Sequence, residues 1–224
     1  MLLNSFSRWF SMEKMELVKK YVEELINAPI NLVGYRDFNE AFHYLYMDSV
    51  LAVKPEDLGN NFLDVGTGGG VPGVFLLIEF GIHGFLIDSV CKKIDYVKNL
   101  CERLGLSNVE LMCVRAEELK DKGMFRERFD SAVSRAVSRI ATVLELTAPY
   151  VKVGGKVLLY KGPGYNEELG QAVNAMKELG VKLAEIRKYS ILGKDRFLVI
   201  FEKMSPTPEK YPRKVGIPEK RPIR

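Results

Sequence analysis

The chain has 224 residues, 47% apolar and 28% charged, which suits one globular domain with its own core and is too apolar for a disordered chain. Its longest apolar runs, such as Val74–Ile78, are five residues, too short to span a bilayer, and Met1–Phe10 has neither the basic leader nor the apolar stretch of a signal peptide, so a soluble, cytoplasmic protein is expected. Net charge is +4, yet residues 203–224 alone carry +5 and the rest −1, so the excess sits in the tail and points to a polyanionic partner.

Met12–Asn27 reads as an amphipathic helix, with Met15, Val18, Val22 and Leu25 on one stripe, and Asn39–Val50 as a shorter one. These elements form a small helical cap over residues 1–55. A regular alternation begins at Asn61. Phe62–Val65 is a strand and Pro72–Phe80 a helix, with Pro72 in the first turn. Phe85–Ile87 is a strand ending in Asp88. Ser89 is the expected N-cap of a helix over Cys91–Leu104, which Gly105 closes. Cys91, Cys101 and Cys113 are odd in number and lack a Cys-x-x-Cys pair, and with only two histidines, His43 and His83, neither a disulfide framework nor a metal site is expected.

Strands follow over Val109–Val114 and Phe129–Val133, then a helix over Arg139–Tyr150, a break at Gly154-Gly155, a strand over Lys156–Lys161 and a helix over Asn166–Leu179. Alternation of this kind means a mostly parallel α/β sheet with helices on both faces. Val181–Tyr189 and Arg196–Glu202 are both strands, and the six residues between them are too few for a parallel crossover. The last strand must therefore reverse. A Rossmann-like sheet with a reversed last strand is the class I methyltransferase arrangement, here over residues 56–203, with a basic, proline-rich tail over 204–224 packed on it or extending from it.

The strongest local signal is Asp64-Val65-Gly66-Thr67-Gly68-Gly69-Gly70-Val71-Pro72-Gly73, a glycine-rich turn between a strand and a helix. Gly68, Gly70 and Gly73 fit the dinucleotide pattern. Asp64, Gly66, Gly68 and Gly70 fit the acid-x-Gly-x-Gly-x-Gly pattern of S-adenosylmethionine enzymes. A carboxylate at Asp64 opposes a pyrophosphate and favours a ligand carrying an ammonium and a sulfonium. Asp88 stands 22 residues after Gly66, about where an acid holds a ribose in either register. Ala116 and Glu117 follow the third strand, where an adenine would lie. Ser134-Arg135-Ala136 ends the fourth strand on the ligand-binding edge, where Arg135 meets cofactor, phosphate or a structural carboxylate.

Taken together, these segments resemble the glucose-inhibited division protein B family, bacterial small-subunit ribosomal RNA guanine-N7 methyltransferases. The similarity runs from about Asn31 to Pro222. It includes Asn31-Leu32, Arg36-Asp37, Asp48-Ser49, the glycine turn, Leu86-Ile87-Asp88-Ser89, Ala116-Glu117, Ser134-Arg135-Ala136 and Lys161-Gly162-Pro163. It ends in Thr207-Pro208-x-Lys210-Tyr211-Pro212-Arg213 and Gly216-Ile217-Pro218-x-Lys220. Leu45 stands where members commonly carry a histidine, with His43 two residues away.

The resemblance implies S-adenosylmethionine as cofactor, held by Gly66, Val71, Ala116, Glu117 and Arg135 together with Asp64 and Asp88; Gly68 and Gly70 complete the pattern. Guanine N7 has a lone pair and no proton, so no catalytic acid or base is assigned. Arg135 and Lys161 are expected to position the nucleoside. The tail's Lys210, Tyr211, Arg213, Lys214, Lys220 and Arg221 are expected to grip ribosomal RNA or the small subunit. A strap with no RNA contact is the alternative for the tail. A methyltransferase of protein or a small molecule, a nicotinamide oxidoreductase and a non-catalytic RNA-binding module stay open for the whole. With no long exposed apolar stripe, a monomer without metal or membrane contact is expected.

Overall fold

The structure, a computed structural model, describes residues 12–224. The first ten residues, on which the absence of a leader was argued, lie outside that range. Helix α1 (Met12–Ile26) is followed by a helical run that changes pitch twice. Its first part, α2 (Phe38–Ala41), passes into a π-helical stretch (Phe42–Met47) and ends as α3 (Asp48–Val50). The π turns are marked by the Asp48 N–H donating to the His43 carbonyl, five residues back. After α4 (Pro55–Leu58) the sheet begins. Its strands are β1 (Asn61–Val65), β2 (His83–Asp88), β3 (Val109–Cys113), β4 (Phe129–Arg135), β5 (Val151–Lys161), β6 (Val181–Ile191) and β7 (Lys194–Lys203). The helices between and after them are α5 (Gly73–Phe80), α6 (Cys91–Arg103), α7 (Ile140–Thr147), α8 (Tyr165–Gln171), α9 (Val173–Leu179) and α10 (Ile217–Lys220).

The strand order is β3-β2-β1-β4-β5-β7-β6. All pairs are parallel except β5–β7 and β6–β7, so β7 alone runs backwards. The order switches direction at β1, between β2 and β4, which is where open α/β sheets bind ligands at their strand ends. One face of the sheet packs on α1, the π stretch, α5 and α6, with Tyr21, Tyr46 and Phe75 fully buried. The N-terminal helices thus share a core with the sheet. The opposite face packs on α7 and α9, around Tyr150, Leu144 and Phe201. Among the described residues no helix is long and apolar enough to cross a membrane.

Four local expectations change. The reversed hairpin is tighter than the sequence suggests: its strands reach Ile191 and Lys194, leaving only Leu192-Gly193. Both have positive φ, +47° and +76°, as a two-residue hairpin turn with matching twist requires. Gly154 and Gly155 do not interrupt a strand but lie within β5, at an irregular register against β4. A Cβ on Gly155 would stand 2.4 Å from the Asp130 carbonyl, so only glycine passes there. The helix expected over 166–179 breaks at Ala172 into α8 and α9. Ser89 does not cap α6; Val90 holds that position, and its N–H donates to Asp88 Oδ1 (2.9 Å).

Cysteine also requires a correction: Cys91 and Cys113 form a disulfide, with Cα atoms 4.9 Å apart. Sequence spacing conceals this pair. Cys113 stands opposite Asp88 in the β2–β3 register, and Cys91 begins α6 three residues after Asp88. Topology, not local motif, brings them together. Cys101 is free and buried, and burial pushes its thiol up to about 12.

Candidate active site

The turn after β1 is shaped from below. Asp64 is fully buried, and its Oδ2 accepts from Thr67 Oγ1 (2.7 Å) and from the Gly73 N–H (2.9 Å). The acid therefore braces both ends of the turn from beneath and does not line the cavity above. Gly70 is likewise structural: it has φ +78°, and a Cβ there would meet Tyr21 Oη at 2.2 Å. Asp88, at the end of β2, accepts from the Gly68 N–H through Oδ2 (2.9 Å). The same carboxylate that begins α6 thus fixes the middle of the turn.

Above the turn lies a cavity of about 470 Å³. Gly66, Gly68, Val71, Asp88, Ala116, Glu117 and Arg135, all expected at the cofactor, line it. Sequence reasoning missed the wall formed by Leu32–Tyr35, and also Lys93 and Val137. Only the Asn31-Leu32 similarity pointed near that wall, which comes from the loop between α1 and α2. Past Arg135 the chain turns sharply, and Ala136 sits at φ +58°, a conformation that costs a residue with a Cβ roughly 1 kcal/mol or more.

A second cleft of about 510 Å³ adjoins the first. Tyr35, Arg135, Ala136 and Val137 line both. Arg135 Nη1 donates to the Tyr44 carbonyl (2.9 Å) and to Asp48 Oδ2 (3.3 Å), so it is both anchored by a carboxylate and placed between the cavities. Lys161 lines the second cleft only, where its ammonium donates to the Ser138 carbonyl and to Glu168 Oε2 (both 2.7 Å). His43 lines neither cavity; its Nδ1 lies 2.7 Å from the Asn39 carbonyl.

The residues at the first cavity fit a cationic ligand better than a pyrophosphate. Asp64 Oδ1 has no hydrogen-bond partner, so burial holds this carboxyl up at about 7 despite the Thr67 and Gly73 donors. A positive charge bound above the turn relieves that penalty, and a dianion worsens it. A pH dependence follows, with its sign fixed. Asp64 is ionised less readily in the folded protein than in the unfolded chain. Its contribution to stability is therefore complete below about pH 4, falls as pH rises to about 7, and is level above. A bound cation draws the proton off, so ligand affinity rises between pH 6 and 8, by roughly threefold to tenfold. Calorimetry at pH 6 in two buffers of different ionisation heat should show proton release on binding, and Asp64→Asn should abolish it.

The tail lies along the outside of α7 and α9. Arg213 forms a two-pronged pair with Glu145, whose side chain is fully buried (Nε–Oε1 2.8 Å, Nη2–Oε2 2.6 Å). Tyr211 is buried and donates to Glu178 Oε2 (3.2 Å), to which Lys210 also pairs (3.0 Å). Arg126 and Lys120 donate to the Tyr211 and Pro212 carbonyls. The Gly216 N–H reaches Glu117 Oε1 (2.9 Å), at the cofactor cavity. Lys214, Lys220 and Arg221 are exposed. Half of the expected RNA-facing set therefore makes contacts within the fold.

Comparison with known proteins agrees with this architecture. Residues 14–196 match the family described as GidB, rRNA small subunit methyltransferase G. A protein of Fervidobacterium nodosum named ribosomal RNA small subunit methyltransferase G is 72% identical over 213 residues, 95% of this chain and all of that one. A protein of the same name from Thermotoga maritima is 42% identical over 224 residues, 99% of this chain and 93% of that one. Among solved structures, Aeropyrum pernix fibrillarin with natively bound S-adenosyl-L-methionine superposes with a TM-score of 0.55 at 11% identity, over 69% of this chain and 73% of that one, a likeness of fold. On the family match and the two long, high-identity alignments, the chain belongs to the GidB family of small-subunit rRNA methyltransferases.

Proposed function

We propose that this protein transfers the methyl group of S-adenosylmethionine to N7 of a guanine in small-subunit ribosomal RNA. The observation that carries this reading is the pair of adjoining cavities: one above the glycine turn, suited to a cationic nucleoside, and a second opening from it across Arg135. The names of the relatives supply the substrate class. S-adenosylmethionine, when bound, supplies a methyl group activated on a sulfonium. The Gly66–Gly69 backbone and Asp88 would hold its nucleoside, and Ala116 and Glu117 would flank its base. Guanine N7 has a free lone pair, so the residues need only bring the two nucleosides into line and exclude water. Arg135, fixed by Tyr44 and Asp48, is the positioning group at the boundary.

The exposed tail cations Lys214, Lys220 and Arg221 are the reading's phosphate contacts, while Tyr211 and Arg213 hold the strap in place. Replacing those three cations with Ala should reduce the salt slope of RNA binding by roughly two.

Labelled S-adenosylmethionine should methylate small-subunit rRNA from cells lacking the gene, and not rRNA from cells that have it, with the label recovered as 7-methylguanosine. Arg135→Ala should lower turnover roughly 10²-fold, the scale set by misplacing reacting atoms. Label appearing on another base, or on protein, overturns the reading.

A further inference from the structure

The second cleft carries a particular set of groups. Tyr35 and Tyr44 stack with ring centroids 5.2 Å apart and planes 14° apart. Tyr44 is buried behind, with the Arg196 guanidinium 5.7 Å and the Lys194 ammonium 5.3 Å from its ring centre. Tyr35 is half-buried and lines both cavities. A buried ring thus backs a more exposed one, and a planar base laid on Tyr35 extends an existing stack.

Asp48 lines this cleft and not the cofactor cavity. It lies at the end of the π-helical stretch, an irregularity that recurs at functional sites. Tyr189 Oη donates to its Oδ1 (2.8 Å), and Arg135 Nη1 donates to its Oδ2 (3.3 Å). Arg196 Nε stays 3.9 Å away, an ion pair without a hydrogen bond. An ionised carboxylate accepts about four hydrogen bonds, so two of its acceptor positions are left.

We propose that Asp48 is the residue that selects guanine, with Tyr35 as its stacking platform. The inference rests on the N7 reading above. N7 must face the boundary formed by Arg135, Ala136 and Val137, and guanine's Watson–Crick edge then turns into the cleft beyond it, which Asp48 and Glu168 supply with carboxylates; Glu168 Oε2 is taken by Lys161 and the Ile140 N–H, and Asp48 is the one bonded to Arg135 at the boundary. That edge offers two donors, N1–H and the 2-amino group, to an acceptor-only group. Adenine presents an unprotonated N1 there and is repelled. Inosine keeps N1–H and lacks the amino group, so it falls between. A carboxylate whose other lone pairs are held by Tyr189 and Arg135 is oriented before the base arrives, which makes the selection one of geometry as well as charge.

The test is ligand-observed NMR competition on the full chain with S-adenosylhomocysteine present and guanosine, inosine and adenosine 5′-monophosphates as probes. Wild type should bind them in that order, guanosine over adenosine by about tenfold or more. Asp48→Asn replaces one acceptor by a donor and should bring the guanosine-to-adenosine ratio to within roughly threefold of unity. Tyr35→Leu should weaken all three alike and keep their order. S-adenosylhomocysteine affinity, measured on each variant, reports whether the first cavity is intact. If Asp48 only anchors Arg135 and Arg196, Asp48→Asn will weaken the three nucleotides in parallel with the ratio unchanged, and the proposal fails. It fails too if wild type binds guanosine and adenosine monophosphates equally or binds neither. Recovery of 7-methylguanosine alongside an unchanged ratio removes only the role of Asp48. Methylation of another base removes the reading beneath it.

Discussion

Gly70→Ala should lower Tm by about 5–15 °C and abolish measurable cofactor binding at 25 °C. Two costs combine. The residue sits at φ +78°, where a Cβ costs roughly 1–2 kcal/mol. The new methyl would also stand 2.2 Å from Tyr21 Oη and 2.7 Å from Val74 Cγ2, an overpacking penalty of roughly 1–3 kcal/mol. Tyr21 cannot yield freely: it is fully buried, and its hydroxyl donates to the Gly69 carbonyl (2.8 Å) within the same turn. Relief of the clash therefore moves the backbone that walls the cavity. Gly68→Ala is the informative comparison. Its φ is +55°, but no atom beyond its chain neighbours lies within 4 Å of the added Cβ, and the residue lines the cavity. That variant should lose only about 2–8 °C of Tm, having the strain term without the clash, and still bind cofactor poorly. Differential scanning fluorimetry and isothermal titration of S-adenosylhomocysteine separate the two. Equal thermal losses at both positions would mean that Tyr21 does not buttress the turn.

Much of this site was legible because its signals are local. A strand, a glycine turn and a helix are contiguous, and the acid closing the next strand follows at a fixed distance. The reversed strand was legible for the same reason: a linker too short for a crossover leaves one direction for β7. What escaped depends on neighbours set by topology. The Leu32–Tyr35 wall arrives from the loop between two N-terminal helices with no motif of its own. The π-helical turns before Asp48 follow no periodicity that a 3.6-residue reading detects. Cys91 and Cys113 meet only because β2 and β3 are adjacent. The tail misleads by its composition, since a cluster of cations reads as a surface for phosphate. Its partners Glu145, Glu178 and Glu117 are scattered through ordinary helical turns, and only the fold gathers them. Even Lys203, at the tail's root, is fully buried; desolvation draws its ammonium down to about 8 while it donates to the Ala148 carbonyl.

Arg213→Ala should destabilise the protein by about 3–5 kcal/mol, because it leaves the Glu145 carboxylate buried with its charge uncompensated. Arg213 Nε and Nη2 each hold one Glu145 oxygen, and only the Arg213 backbone N–H (2.9 Å) survives the truncation. For a domain of this size the change amounts to a Tm loss of roughly 6–20 °C. Arg213→Lys keeps the charge but not the planar fork, and should lose less. The double variant Glu145→Leu with Arg213→Leu, which removes both charges, should recover most of the single variant's loss. The strap's role then follows from two readouts taken together. If Arg213 holds the strap and does not touch phosphate, the single variant weakens RNA binding with the salt slope unchanged, and it also weakens cofactor binding severalfold, because the Gly216 N–H loses its place on Glu117 beside the cavity. A salt slope lowered by about one, with cofactor affinity intact, would instead place the Arg213 guanidinium on the RNA backbone and require it to leave Glu145 when RNA binds.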